Sequence, residues 1–178
     1  MHYGRIFAIV GVVFAAIGFL LQSASSSAES IMTSLNEATQ GAIPVGFDNT
    51  WTALYDDTAW AAVVFALAML GALIVALVPP FDQPMSRLYG LVAATLGVLM
   101  LAIGIFAILG ALDDADTLEA AFAQLFSAGQ IPEAFSVTIG FGWYLLPLAG
   151  VLVAIGGVVS LTARPDEDAI SDDAASAR

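Results

Sequence analysis

The run Tyr89–Gly104, YGLVAATLGVLMLAIG, constrains this chain more than any other stretch. It is uncharged, and with its continuation to Leu112 it is long enough to cross a bilayer, which takes about 20 apolar residues as a helix. Gly90, Gly97 and Gly104 recur in it at intervals of seven. The first segment of the chain repeats the pattern. Tyr3-Gly4 matches Tyr89-Gly90, Gly11 and Gly18 match Gly97 and Gly104, and Ala8, Val12, Ala16 and Ile17 match Ala94, Val98, Ala102 and Ile103.

Four stretches have the length and composition of spans: about 5–24, 59–78, 88–112 and 136–162. They are continuously apolar rather than alternating, so helices satisfy the backbone in lipid, not barrel strands. Only 11% of the 178 residues are charged, against about 25% in soluble domains. The expected fold is therefore an all-α membrane protein, a four-transmembrane-helix bundle forming one domain over 1–162. The residues that follow, 163–178, are acidic, small and aperiodic, and read as a disordered cytoplasmic tail.

Orientation follows from the four arginines. Arg5 precedes span one, Arg87 separates spans two and three, and Arg164 and Arg178 follow span four; there is no lysine. Residues 25–58 and 113–135 hold no basic residue. Basic residues near span ends stay cytoplasmic, so both termini are expected inside the cell membrane and both longer loops outside. A second reading of the N-terminus takes Arg5, the apolar core Ile6–Leu21 and Ser26-Ser27-Ala28 as a signal peptide, whose removal would leave three spans. The match between spans one and three favours retention.

The outer loops share a plan. Ser26-Ser27-Ala28-Glu29 and Asp116-Thr117-Leu118-Glu119 both fit a capping box, the signature of a helix start. Apolar positions at helical spacing follow: Ile31, Leu35 and Ala38 in one loop, Leu118, Phe122, Leu125 and Phe126 in the other. Each loop then reaches Ile-Pro with Phe three residues on: Ile43-Pro44…Phe47 and Ile131-Pro132…Phe135. The chain thus reads as a tandem repeat of two helical hairpins, each with a short amphipathic helix in its extracytoplasmic loop. The two hairpins should be related by an axis along the membrane normal. Between them Pro79–Ser86, with three prolines, reads as a stiff inner turn.

Seven residues at 100° each return to nearly the same helix face, so Gly11 and Gly18 lie on one stripe and Gly97 and Gly104 on another. In lipid the hydrophobic effect gives little between helices, and small residues permit close backbone approach. These four glycines are the expected packing face, span one against span three, or else a docking face for another membrane protein. Pro147, beside Gly140 and Gly142, is expected to kink span four, since it removes a backbone donor. Trp51, Tyr55, Trp60, Trp143 and Tyr144 read as interfacial anchors at the headgroup level.

Several functions lack the residues they need. Cysteine is absent and His2 is the sole histidine, which excludes thiolate and histidine-ligated metal or haem sites in the spans. The acidic runs Asp56-Asp57 and Asp113–Asp116 lack the calcium-loop pattern. A net charge of −12 disfavours nucleic acid, whose phosphates need Lys and Arg. No catalytic constellation, nucleotide loop or cofactor motif is present, and the spans hold no carboxylate of the kind that ion-coupled pumps use. The expected function is a non-enzymatic accessory, scaffold or assembly subunit. Its partners are the lipid bilayer and either another membrane protein or a second copy. The alternative is a small oligomeric channel or passive transporter. In topology the chain resembles the claudin-like four-span proteins, with a longer first outer loop. Trp51-Thr52-Ala53-Leu54-Tyr55 stands where that family has a Trp…Gly-Leu-Trp motif followed by two cysteines, so no residue role carries over.

Overall fold

Four long apolar helices dominate the computed structural model, which describes residues 3–41, 43–78 and 85–162. In chain order the elements are α1 (Tyr3–Leu20), β1 (Ala24–Ser26), a 3-10 turn (Glu29–Ile31), α2 (Met32–Ala38), α3 (Thr50–Leu77), α4 (Arg87–Ser127), β2 (Val137–Ile139) and α5 (Gly142–Thr162). By length and composition α1, α3, α4 and α5 can each cross a membrane. Most of the expected inner turn, residues 79–84, and the expected tail, residues 163–178, lie outside the described residues.

The helices form a ring in the order α1, α5, α4, α3, with α3 closing against α1. Three positions along each glycine stripe fix the directions. Gly4, Gly11 and Gly18 of α1 face Gly156, Ala149 and Gly142 of α5, and Gly90, Gly97 and Gly104 of α4 face Gly157, Gly150 and Pro147. Both α1 and α4 are therefore antiparallel to α5 and parallel to each other. The interior is filled by Phe65, Met100, Leu146 and Val153, all fully enclosed, with Phe19, Leu54, Ile103 and a row of alanines. Arg5, in the first turn of α1, is 0% exposed.

The helix limits differ from the sequence-derived spans for local reasons. α1 ends at Leu20 because the next residues bond elsewhere: the Thr50 N–H donates to the Leu21 carbonyl (2.8 Å) and the Ser23 N–H to the Asp48 carbonyl (2.8 Å). α3 starts at Thr50, nine residues before the apolar run at 59. Asn49 caps it by accepting from the Thr52 N–H at 2.9 Å, as N-cap side chains do. Its backbone leaves helical angles at Thr58, where the acidic Asp56-Asp57 pair gives way to the apolar run.

The expected separate amphipathic helix at Leu118–Phe126 is not a separate element: α4 continues unbroken from Arg87 to Ser127. Residues 105–127 contain no proline and, past Gly110, no glycine, so the acidic stretch 113–119 carries the helix on. Glu119, read as half of a capping box, instead accepts from the Val137 N–H at 2.6 Å. The stop comes at Gly129, with a φ of 70°. The N–H of Gln130 returns to the Leu125 carbonyl at 2.9 Å, the bond of a glycine-terminated helix end. The first capping box also fails to form: Ala28, not Ser26, holds the position before the 3-10 turn, and no side chain caps it. There the Ser26 hydroxyl accepts from the Ala28 N–H instead.

The residues expected to open span four belong to a strand. Val137-Thr138-Ile139 pairs antiparallel with β1, placing Ala24 opposite Ile139 and Ser26 opposite Val137. A β-branched triplet suits a strand. This ribbon joins the loop after α1 to the loop after α4, and around it lies a second apolar cluster of Ala28, Met32, Leu35, Ile43, Phe122, Ile131, Phe135 and Val137. Both Ile-Pro elements thus bury their isoleucines in one loop cluster, called the head below.

Candidate functional site

The glycine stripes do not meet each other. Sequence spacing suggested span one against span three; instead both stripes close on α5, which lies between them. A Cβ placed on Gly11 would stand 2.8 Å from both the Ala149 carbonyl and the Val153 side chain, and one on Gly18 3.0 Å from the Gly142 carbonyl. On the other side, a Cβ on Gly97 would reach the Cα of Ala154 at 2.7 Å, and one on Gly104 the ring nitrogen of Pro147 at 2.6 Å.

The α5 helix answers with its own small residues. Gly142, Ala149 and Gly156 repeat at seven facing α1, and Gly150 and Gly157 repeat at seven facing α4. Two stripes one residue apart are rotated by about 100°, the angle needed to serve two neighbours at once. That spacing is present in the sequence, interleaved with Gly140 and Pro147. Pro147 lies inside α5, which continues through it. Its flat, donor-less face packs on Gly104. The hydroxyl of Ser160, buried between Gly4 and Gly90, donates to the Gly156 carbonyl at 2.9 Å and so stays satisfied.

The aromatic residues divide. Trp60 (62% exposed) and Tyr55 and Tyr144 (47% and 48%) face outward, Trp60 beside Phe106 and Tyr144 beside Phe141. Trp51 is half-buried, edge-on to Phe19 at 5.0 Å and stacked on Tyr55 at 6.1 Å. Trp143 differs from its expected role as a surface anchor. Only 5% exposed, it turns into the protein and its indole N–H donates to the Ser23 carbonyl at 2.7 Å. The same carbonyl accepts from the Gly140 N–H at 2.6 Å. Where α1 ends, one residue thus ties the starts of α3 and α5 together.

Beside Trp143, where head meets bundle, opens a cleft of about 220 Å³. Its walls include Pro44 and Phe47 from the first loop, Leu118 from α4, and Val137 and Ile139 from β2. Asp114 lines it and reaches solvent. The apolar part of α4 ends at Leu112, so Asp114 stands beyond it. Partial burial raises its carboxyl above the usual carboxylate range, and repulsion from Asp57 and then Asp113 adds to this. Nothing in the sequence marked this cleft, because its walls come from four separated segments. Among the described residues no group of three or more His, Cys, Asp or Glu is arranged to hold a metal ion. No family model, curated protein or solved structure matches the chain.

Proposed function

We propose that the chain is a non-enzymatic integral protein of the cell membrane, an accessory, scaffold or assembly subunit that holds its head rigidly on the outer side. The observation that carries this reading is the solid bundle. Both glycine stripes are consumed by α5, and the space between the four helices is filled by enclosed apolar side chains such as Phe65, Met100 and Leu146. Such an interior suits support and offers no polar route through one copy. With the glycines turned inward, a partner helix would meet branched and aromatic side chains such as Val63, Leu67, Phe106 and Leu109 instead.

The arginine distribution supports cytoplasmic termini, and the head then lies outside. We read α1 with its loop and α3, and α4 with its extension and α5, as two copies of one unit. In support, α1 and α4 run the same way with matched stripes, and Ile43 and Ile131 enter one cluster. The second copy fused its loop helix to the span.

The test is reconstitution paired with native purification. The protein in liposomes should leave entrapped ions and small solutes as well retained as in empty vesicles, and mild extraction should recover it with a membrane partner at fixed ratio. A self-assembled oligomer that leaks solute would replace this reading with the channel.

A further inference from the structure

The cleft between head and bundle joins two properties that select one kind of ligand. The first is an apolar hollow. An apolar cavity of roughly 150 Å³ admits benzene, and this one is larger, at about 220 Å³. The second is an uncompensated negative field. Residues 25–58 and 113–135 contribute five acids each and no base. Among the described residues the basic side chains are Arg5 and Arg87, and Arg87 stands 27 positions before Asp114, about 40 Å along α4 at the helical rise. Clefts with charge of one sign and low-dielectric walls focus that field. Asp114 belongs to the wall itself, with Asp57 and Asp113 close enough to repel it.

The level of the cleft matters too. Tyr144 and Trp60 face outward on α5 and α3 near the same end of the bundle, where amphipathic rings favour the headgroup layer. A molecule with an apolar body and a charged end concentrates in that layer.

We propose that this cleft binds a cationic amphiphile, a small amine or ammonium compound whose apolar part fills the space among Phe47, Leu118, Val137 and Trp143 and whose charge rests at Asp114. An anionic head would be repelled by Asp114 and the acids beside it. The site does not depend on the scaffold reading, since a channel with this head would carry it equally.

The experiment uses the full chain in nanodiscs of zwitterionic lipid, carrying Trp51→Phe and Trp60→Phe so that tryptophan fluorescence reports Trp143 in the cleft wall. Hexylammonium, hexanol and hexanoate are the probes, and lipid-only discs correct for partitioning. Hexylammonium should give a saturable change at least tenfold tighter than hexanol, and hexanoate none. Asp114→Asn, a change at a solvent-reached position, should remove the tenfold preference. Glu133→Gln, an outer acid that does not line the cleft, should keep it within twofold. Ala115→Leu, which fills the cleft, should abolish saturable binding of both neutral and cationic probes, with circular dichroism checking its fold. Equal response to the three probes, a purely linear response, or a preference that survives Asp114→Asn would overturn the site.

Discussion

The α3 and α5 helices occupy equivalent places in the ring, each wedged between α1 and α4, yet they are built differently. α5 carries Gly142, Gly150, Gly156 and Gly157 on its two buried faces, and its backbone touches the backbones of both neighbours. α3 has a single glycine, Gly71, which meets only the side chain of Leu96, at 3.1 Å. Its buried face is Ala61, Ala62, Phe65, Ala68 and Ala72, with Phe65 set edge-on against Phe19 at 5.2 Å. One helix is held by backbone proximity, the other by interlocking side chains. The small-residue pattern that α1 and α4 share is therefore not shared by α3 and α5. Closeness between helices in lipid depends on which partner also lacks side chains.

The difference sets the order of mutational effects. Gly97→Leu should be the most damaging change, because its side chain would run into the backbone of Ala154 and Gly150, which cannot turn aside as a rotamer can. A loss above the ~1–3 kcal/mol usual for overpacking, or no folded protein at all, is expected in thermal unfolding in detergent. Phe65→Ala on the α3 side comes next. In a soluble core it would cost about 3–5 kcal/mol. Here the separated helices stay in an apolar solvent, so mostly packing is lost, and the cost should fall to the lower end of that range or below. Should Phe65→Ala prove worse than Gly97→Leu, the contrast between the two sides would be reversed.

Trp143→Phe sharpens the comparison at the end of the bundle that meets the head. It keeps an aromatic ring, though a smaller one, and removes the bond to the Ser23 carbonyl, which retains the Gly140 N–H. A loss of at least roughly 0.5–1.5 kcal/mol, the ordinary net worth of one hydrogen bond, should appear in the same assay, with the smaller ring adding to it. Leu67→Ala is the baseline. It lies 63% exposed on the outer face of α3, exchanges one lipid contact for another, and should shift stability by no more than about 0.5 kcal/mol, as surface changes do.

The sequence made the four spans readable because hydrophobic length is a local property. It made the stripes on α1 and α4 readable because spacing by seven is local too. The partner of those stripes was not readable from them, since any helix with small residues would serve. The stripes on α5 carried that information, one residue apart on one helix. The ribbon of β1 and β2 was not legible because Ser25 and Thr138 are 113 positions apart. Apolar Val137 and Ile139 also read as the beginning of a span. The unbroken α4 was not legible for the opposite reason: Asp116–Glu119 has the letters of a helix start, but a cap residue itself takes non-helical backbone angles, and here the helix was already running. The cleft had no signal at all, being a product of the head's assembly.

Ser160 offers the most direct test that α5 lies between α1 and α4. Its Cβ would stand 3.3 Å from a Cβ on Gly90 of α4, and its hydroxyl meets a Cβ on Gly4 of α1. The chain has no cysteine of its own, so introduced pairs report without background. In membranes under mild oxidation, Ser160→Cys combined with Gly4→Cys, and Ser160→Cys combined with Gly90→Cys, should each form an intramolecular disulfide, while Gly4→Cys with Gly90→Cys should not. Efficient coupling of Gly4→Cys to Gly90→Cys, with neither partner coupling to position 160, would contradict the account.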